Sequence, residues 1–275
     1  MNKESKLLET GPSPRGWHRL QTVLECPQKF AFKYLLDSER QRKHSPALTK
    51  GSMMHLALAH HYLREKCVQH GENPEEWLNG KEALRASAEK NPEESEWLDL
   101  ISDCYDAYCD RWRTDTFKVL EVEQLAYTKI DDYLFTGRLD LIVEDGKGRV
   151  YVIDHKTTTR IMASQAKYYG ISGQLVGYGY MAHQIYAERY HGVMLNQIQH
   201  TGTYKFKRIS LPPAPNLYRK FPQTVRDAEE TIERLEKSGR SPVDYPMVMN
   251  ELSCYHRYGA CEFLDTCKWG MRSGE

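Results

Sequence analysis

The chain has 275 residues, and its 38 lysines and arginines balance 38 aspartates and glutamates, so its formal net charge is zero with histidine neutral. Hydrophobic residues make up 40% and charged residues 28%, which is typical of a folded globular protein and excludes a wholly disordered, collagen-like or membrane-spanning chain. No stretch approaches the ~18 apolar residues of a membrane span, and residues 1–16 lack the apolar centre of a signal peptide. We therefore expect an intracellular, cytoplasmic protein with no membrane partner.

The neutral charge is an average over two unlike regions. Residues 72–110 contain 12 acidic and 3 basic residues, a balance of −9, so the rest of the chain carries +9. Because binding to nucleic acid needs only a local basic surface, the overall charge does not exclude a nucleic-acid partner.

The composition predicts one domain behind a short leader. Residues 1–16 are rich in glycine, proline and serine and indicate a flexible leader. The domain itself covers 17–275 and divides into a helical part, a sheet core, and a last part with a helix and a cysteine cluster. These parts are 17–116, 117–212 and 213–275.

The first part is expected to be helical throughout. Apolar residues at helical spacing over 17–36 predict two helical stretches separated by Pro27, since proline interrupts or starts a helix. A helix over 51–71 is expected to end at its last glycine, which favours the left-handed conformation that follows a helix. The acidic segment 73–113 predicts two more amphipathic helices, separated near Pro92.

The sequence then takes on the period of β-strands. Apolar runs and alternations predict three strands with turns at 131–132 and 145–146, and hence an antiparallel meander. A helix over 172–190, two more strands and a final helix follow, which implies an α/β fold with a helical insertion before the sheet. The predicted strands cover 117–130, 132–144, 148–156, 192–200 and 203–211, and the final helix covers 216–237.

Two acidic residues and a lysine mark the most informative stretch. Asp140 lies in an apolar strand, and the next strand contains Asp154 and Lys156, which share one face because they are two residues apart. If these strands pair, the two carboxylates meet at one end of the sheet. Hard carboxylate oxygens suit Mg²⁺ or Mn²⁺, which would offset the cost of burying the charges, and the lysine could orient a water or balance a phosphate. The alternative is a structural ion pair between Asp154 and Lys156.

Other residues are candidates for the same site. Glu123 could add a third carboxylate, although Glu121 lies on the same face of its strand. His55 could be a metal ligand or an ordinary helical histidine. Gln174 and Tyr178 are four residues apart on one helix and face the same way, so they could hold a nucleotide by hydrogen bonding and stacking.

The order of these residues resembles the PD-(D/E)xK nuclease superfamily, in particular its RecB-type exonucleases and their phage and CRISPR-associated relatives. The resemblance spans residues 17–269 and rests on short motifs: Gly51 to His55, Glu123, G-R-L-D ending at Asp140, D-H-K-T from Asp154, and Q-L-V-G-Y from Gln174. It implies a restriction-endonuclease-like core, in which helices flank a central mixed sheet. It also implies catalytic roles for Asp140, Asp154, Lys156 and Glu123, a Mg²⁺ or Mn²⁺ ion on His55, Asp140 and Asp154, and DNA contacts from Gln174 and Tyr178.

Four of the seven cysteines resemble the ligands of the iron–sulfur members of this branch. Cys26 opens a C-P-x-x-F sequence, and Cys254, Cys261 and Cys267 lie near the end of the chain, which together imply a 4Fe–4S cluster. Such a cluster would clasp the two ends of the domain together. The six residues between Cys254 and Cys261 exceed the usual two, so a zinc site, a different fourth ligand such as His256, and unliganded thiols stay open.

The resemblance implies a metal-dependent DNA exonuclease that acts on single-stranded ends in recombination or repair, or in phage DNA processing. A recombination protein is the expected partner, in a bacterial or phage-infected cell. Three alternatives stay open: a non-catalytic module that binds DNA ends, a redox-sensing cluster protein, and a sequence-specific endonuclease. Cleavage that needs both Mg²⁺ and Lys156 would exclude the first two.

Overall fold

The computed structural model describes residues 7–36, 45–256 and 259–270. The first six residues of the predicted leader and the side chain of His256 lie outside this part.

The described part of the predicted leader is bonded to the domain. The Leu8 amide donates a hydrogen bond to His60 Nε2 at 3.2 Å, and the Arg15 amide donates one to Thr136 Oγ1 at 2.9 Å. These contacts join residues 8 and 15 to the domain, and the flexible leader stays a prediction.

Helices make up the first part of the domain, as predicted. Their bounds are α1 Trp17–Glu25, α2 Pro27–Tyr34, α3 Pro46–His70, α4 Gly80–Lys90 and α5 Leu98–Arg111. Pro27 takes the first position of α2, where its missing N–H is not needed. Helix α3 begins before the predicted Gly51 and ends at Gly71, whose φ of +72° requires the conformational freedom of glycine.

Five strands form one mixed sheet in the order β1-β2-β3-β4-β5. All neighbours are antiparallel except β3 and β4, which are parallel and therefore need a crossover connection. The crossover contains α6, which was not predicted, and α7, which is shorter than predicted. The bounds are β1 Lys118–Ile130, β2 Tyr133–Glu144, β3 Val150–Thr158, α6 Ser164–Tyr169, α7 Gly173–Tyr186, β4 Tyr190–Gln199 and β5 Lys205–Leu211.

Helices cover both faces of the sheet, which confirms the predicted α/β arrangement. Helix α8 (Pro215–Lys237) packs with α1, α2 and α7 on one face, and α3 and α5 pack on the other. Along β3, Val150 and Val152 point to the first core, whereas Tyr151 and Ile153 point to the second. The chain then forms only short elements: α9 Glu251–Cys254, β6 Tyr255–His256, β7 Gly259–Ala260 and α10 Leu264–Trp269.

Candidate functional site

Strands β2 and β3 separate where two aspartates lie. Their pairing ends with Leu141 opposite Ile153, and Asp140 and Asp154 are the next residues on the two strands. Asp140 Oδ2 accepts the main-chain N–H of His155 at 2.8 Å, so a carboxylate takes the place of a strand carbonyl. The predicted meander therefore does bring the two aspartates to one end of the sheet, in what we call the fork.

Glu123 brings a third carboxylate to the fork from β1. The register of β1 against β2 places it opposite Asp140 and follows a shift between Val119 and Glu121. Its φ of +48° is unfavourable for a residue with a side chain, and such conformations are concentrated at functional sites. Glu121 is 42% exposed and pairs with Lys66 at 2.8 Å, so Glu123 is the glutamate buried in the fork.

His55 reaches the fork from α3. Its Nε2 lies 2.8 Å from the main-chain oxygen of His155, which can only accept, so Nε2 carries the proton. Nδ1, the other ring nitrogen, lies 3.4 Å from Asp140 Oδ2. It can either donate to that carboxylate or bind a metal ion. Ligand atoms of His55, Glu123 and Asp140 lie within 4.8 Å of one another, the one such group in the described part of the chain, and we call these residues the fork ligands.

Lys156 is held beside the fork by hydrogen bonds. Its Nζ donates to Asp154 Oδ1 at 3.0 Å and to Gln174 Oε1 at 3.1 Å, and Gln174 Nε2 donates to the Tyr178 hydroxyl at 3.0 Å. Asp154 Oδ2 is buried and lies 2.9 Å from the same Nζ, so the ammonium group is paired with both carboxylate oxygens. The two α7 residues thus position the lysine, and their contact with DNA stays a prediction.

Burial and mutual proximity shift the pKa values of the acids and the lysine in the fork. Burial, helped by Asp140 and Asp154 and opposed by Arg138, raises the pKa of Glu123 to about 9. Burial also raises the pKa of Asp154 to about 6, against the opposing effect of Lys156. Burial alone would lower the pKa of Lys156, but the neighbouring carboxylates outweigh it and raise that pKa. The lysine is therefore a cation, and the remaining acids suit a divalent ion.

His155 anchors β3 from the opposite face. Its Nδ1 accepts a hydrogen bond from Asn196 Nδ2 at 2.8 Å, and the ring of Tyr62 stacks on it at 6.0 Å. Asn196 Nδ2 also donates to the Tyr108 hydroxyl at 2.9 Å, and Arg208 donates to both tyrosine hydroxyls. The sequence motifs do not include this network, and the one signal of it is an asparagine within the apolar strand β4.

Gly137, the glycine of the G-R-L-D motif, allows α7 to approach the sheet. A Cβ at this position would lie 2.4 Å from Met181 Cε and 3.0 Å from the ring of Tyr178. The close packing that glycine permits places Gln174 within reach of Lys156.

The four cysteines predicted as cluster ligands come from distant parts of the sequence. Cys26 lies between α1 and α2, and the Cys261 amide donates to the Cys254 carbonyl at 2.8 Å. Burial raises the pKa of Cys267 to about 11, and the other three thiols act in the same direction. None forms a disulfide, and within the residues described here their sulfurs do not form a compact group of three ligands. The cysteine clasp therefore stays a prediction.

A family comparison covers nearly all of the domain. The model of the PD-(D/E)XK nuclease superfamily matches residues 17–268. The chain belongs to this superfamily. No curated protein matches the chain.

A solved structure shares the fold of this PD-(D/E)XK nuclease. The crystal structure of a protein from Eubacterium rectale, provisionally named an exonuclease, aligns over 92% of this chain and 86% of its own with a TM-score of 0.53. The identity is 13%, so the likeness shows the restriction-endonuclease-like α/β fold alone. A second solved protein, SSO0001, is 18% identical over 68% of this chain and 76% of its own, but its TM-score of 0.35 supports no argument.

Membership of the superfamily implies hydrolysis of nucleic-acid phosphodiester bonds with a divalent metal ion. The fork ligands fit such an ion, because they bring two carboxyl groups and an imidazole nitrogen within 4.8 Å of one another. Among the described helices, none is both long and apolar enough to cross a membrane.

Proposed function

We propose that this PD-(D/E)XK nuclease is a Mg²⁺- or Mn²⁺-dependent exonuclease that acts on single-stranded DNA ends. The observation that carries the proposal is the fork, where His55, Glu123 and Asp140 converge beside Asp154 and Lys156. His55 Nδ1 lies 3.4 Å from Asp140 Oδ2, where it can bind a metal ion.

Each residue of the fork has a distinct task in this proposal. The fork ligands would hold the ion together with Asp154, which is buried beside them and paired with Lys156. A divalent ion held by these residues would supply Lewis-acid chemistry for phosphodiester hydrolysis. Lys156 places its positive charge beside the phosphate and donates hydrogen bonds to the reacting groups. Gln174 keeps that ammonium group in position.

Cleavage of labelled DNA tests the proposal. Linear single strands, blunt duplexes and circular single strands are incubated with Mg²⁺, Mn²⁺ or EDTA. We expect mononucleotides from linear single strands with either metal, and no product from circles or with EDTA. Lys156→Ala should lower the rate at least about a hundredfold, the usual scale for a group that stabilises developing charge. Lys147→Ala is the matched control, an exposed lysine at the other end of the sheet. Cutting of circles would contradict the exonuclease mode.

We also propose that four cysteines hold a structural metal cluster, 4Fe–4S or, as the alternative, zinc. The cysteines are Cys26, Cys254, Cys261 and Cys267. The packing of α2 on the C-terminal elements supports this, since the rings of Phe32 and Phe263 lie 5.3 Å apart. The described cysteines form no disulfide, so their thiols are available as metal ligands.

Metal content and colour test the cluster. Protein purified without oxygen should contain iron and show the broad visible absorbance of an iron–sulfur cluster, whereas zinc would leave it colourless. Cys261→Ser should lose the metal, and Cys109→Ser, in α5, should keep it. Wild-type protein with neither iron nor zinc would show the proposal to be wrong.

A further inference from the structure

A basic pocket lies at the tip of the β4–β5 hairpin. It has a volume of about 820 Å³ and is bordered by the end of α5, the segment after β3 and the hairpin itself. Four of its lining residues are basic and exposed: Arg111, Arg160, Lys205 and Lys207. No acidic residue lines the pocket, and across the described residues none of the four forms an ion pair. The pocket therefore presents unneutralised positive charge.

The sheet register places the pocket near the fork. Lys156 on β3 lies opposite Gln197 on β4, which lies opposite Lys207 on β5. Residues in register share a face of the sheet, so Lys207 and Lys205 point to the face that carries Lys156. Because neighbouring strands are about 4.8 Å apart, the backbones of Lys156 and Lys207 are roughly 10 Å apart.

Helix α6 covers the strand between these lysines. Gln197 donates a hydrogen bond to Gln165 of α6, and both side chains are buried. On its outer side α6 exposes Lys167 and Tyr168. A chain that passes from the pocket to Lys156 would therefore run over α6, along a surface with a further cation and a further ring.

The rings in the pocket distinguish between single and double strands. Tyr204 lines the pocket and is half-buried against the second core, so the exposed part of its ring is available to a base. Phe206, which points to the opposite face of β5 from Lys205 and Lys207, packs edge-on against Tyr108 at 5.4 Å. Only an unpaired base can stack on a side chain in this way.

We propose that the basic pocket binds the phosphates and one base of single-stranded nucleic acid, a few nucleotides from the bond that is cut beside Lys156. The position of that bond rests on the proposed nuclease function. Binding of the strand by the pocket does not.

Binding without cleavage tests the pocket directly. The variant Lys205→Ala/Lys207→Ala is compared with Lys118→Ala/Lys147→Ala, which removes the same charge from exposed lysines at the other end of the sheet. Affinity for a fluorescent oligothymidylate is measured in EDTA over a series of salt concentrations. We expect the pocket variant to bind about tenfold more weakly, with a salt slope shallower by about 1.4, or 0.7 for each lost phosphate contact. Equal affinities and slopes for the two variants would overturn the proposal.

Two further measurements separate stacking and chemistry from charge. Tyr204→Ala should weaken binding of the oligonucleotide but not of a blunt duplex, and Tyr204→Phe should restore it; equal losses for strand and duplex would overturn the stacking contact.

With Mn²⁺, the lysine pocket variant should show a raised KM on oligonucleotides and unchanged hydrolysis of bis(p-nitrophenyl) phosphate, which is too small to reach the pocket. Loss of that hydrolysis would place the lysines in the fork instead. A wild-type protein that binds single strands through the pocket but cleaves nothing would refute the nuclease proposal alone.

Discussion

Two regions of the molecule gather potential metal ligands, and they do so differently. In the fork, ligand atoms from α3, β1 and β2 lie within 4.8 Å of one another. The cysteine region draws on the α1–α2 junction and on the last described elements, and in the part of the chain that is described its sulfurs form no group so compact.

The difference follows from what fixes each region. The fork lies where β2 and β3 separate within a five-stranded sheet, and backbone groups of His155 bind both His55 and Asp140. The last cysteines lie in or beside elements only two to six residues long, too short to be stable alone. We therefore expect the fork to keep its shape without metal, and the cysteine region to depend on whatever it binds.

The largest effect on the comparison is expected from a substitution at Glu123. Glu123→Gln keeps the size of the side chain but removes a fork ligand's charge, so we expect activity to fall roughly a thousandfold. Glu121→Gln, two residues earlier and paired with Lys66, should change activity less than about twofold. Initial rates at saturating Mg²⁺ measure both, and equal losses would mean that the fork does not hold the catalytic ion.

A double-mutant cycle tests whether the cysteine region holds one shared cluster. If one cluster joins both ends of the domain, Cys26→Ser and Cys261→Ser should each lower the free energy of unfolding by about 3 kcal/mol, on the scale of closing a long loop. The double variant should lose no more than either single variant, because the cluster is already gone. Denaturant unfolding measures the cycle, and small additive losses would mean that the cysteines act separately.

A smaller effect is expected from the network behind β3. Asn196→Leu removes the hydrogen bond to His155, whose backbone positions His55 and Asp140. Since partners of metal ligands contribute about tenfold or more to affinity, the Mg²⁺ concentration for half-maximal rate should rise about tenfold. The melting temperature of the metal-free variant serves as a control, and a fall in stability with unchanged Mg²⁺ dependence would assign Asn196 a purely structural role.

The last prediction concerns how the stability of the metal-free protein depends on pH. The pKa of Glu123 is raised to about 9 in the metal-free fold, so its contribution to stability is complete below its ordinary pKa and is lost as pH rises towards 9. In EDTA, the melting temperature of the wild type should therefore fall relative to Glu123→Gln between pH 5 and 9. The difference should grow steadily as the pH rises, and Mg²⁺ should remove it. Parallel curves for the two proteins would show that the carboxyl is not perturbed.

Strand and helix periodicity predicted most of the fold. The meander and its turns were correct because alternating apolar residues have one stable register against a core. Helix α6 was missed, since six residues carry too little periodic signal. Helix α3 begins at Pro46 and not at Gly51, because proline is well suited to the first position of a helix.

The residues of the candidate site could be proposed from the sequence, but their arrangement in space could not. Spacing alone could not choose between Glu121 and Glu123, because a register shift in β1, which spacing does not reveal, places Glu123 opposite Asp140. Nor could it show that Gln174 binds Lys156 and is itself held by Tyr178, or that Asn196 binds the His155 ring from behind the fork. These facts depend on packing between elements far apart in sequence.

The crossover helix α7 has a consequence for mutational scanning. The parallel pairing of β3 and β4 requires a connection of this kind, its buried residues fill a core, and its first turn holds Lys156. Saturation mutagenesis scored on activity alone would find the buried positions of α7 intolerant, along with Gln174. Scored for cellular abundance as well, Gln174 should stand apart as a position where protein accumulates but does not work.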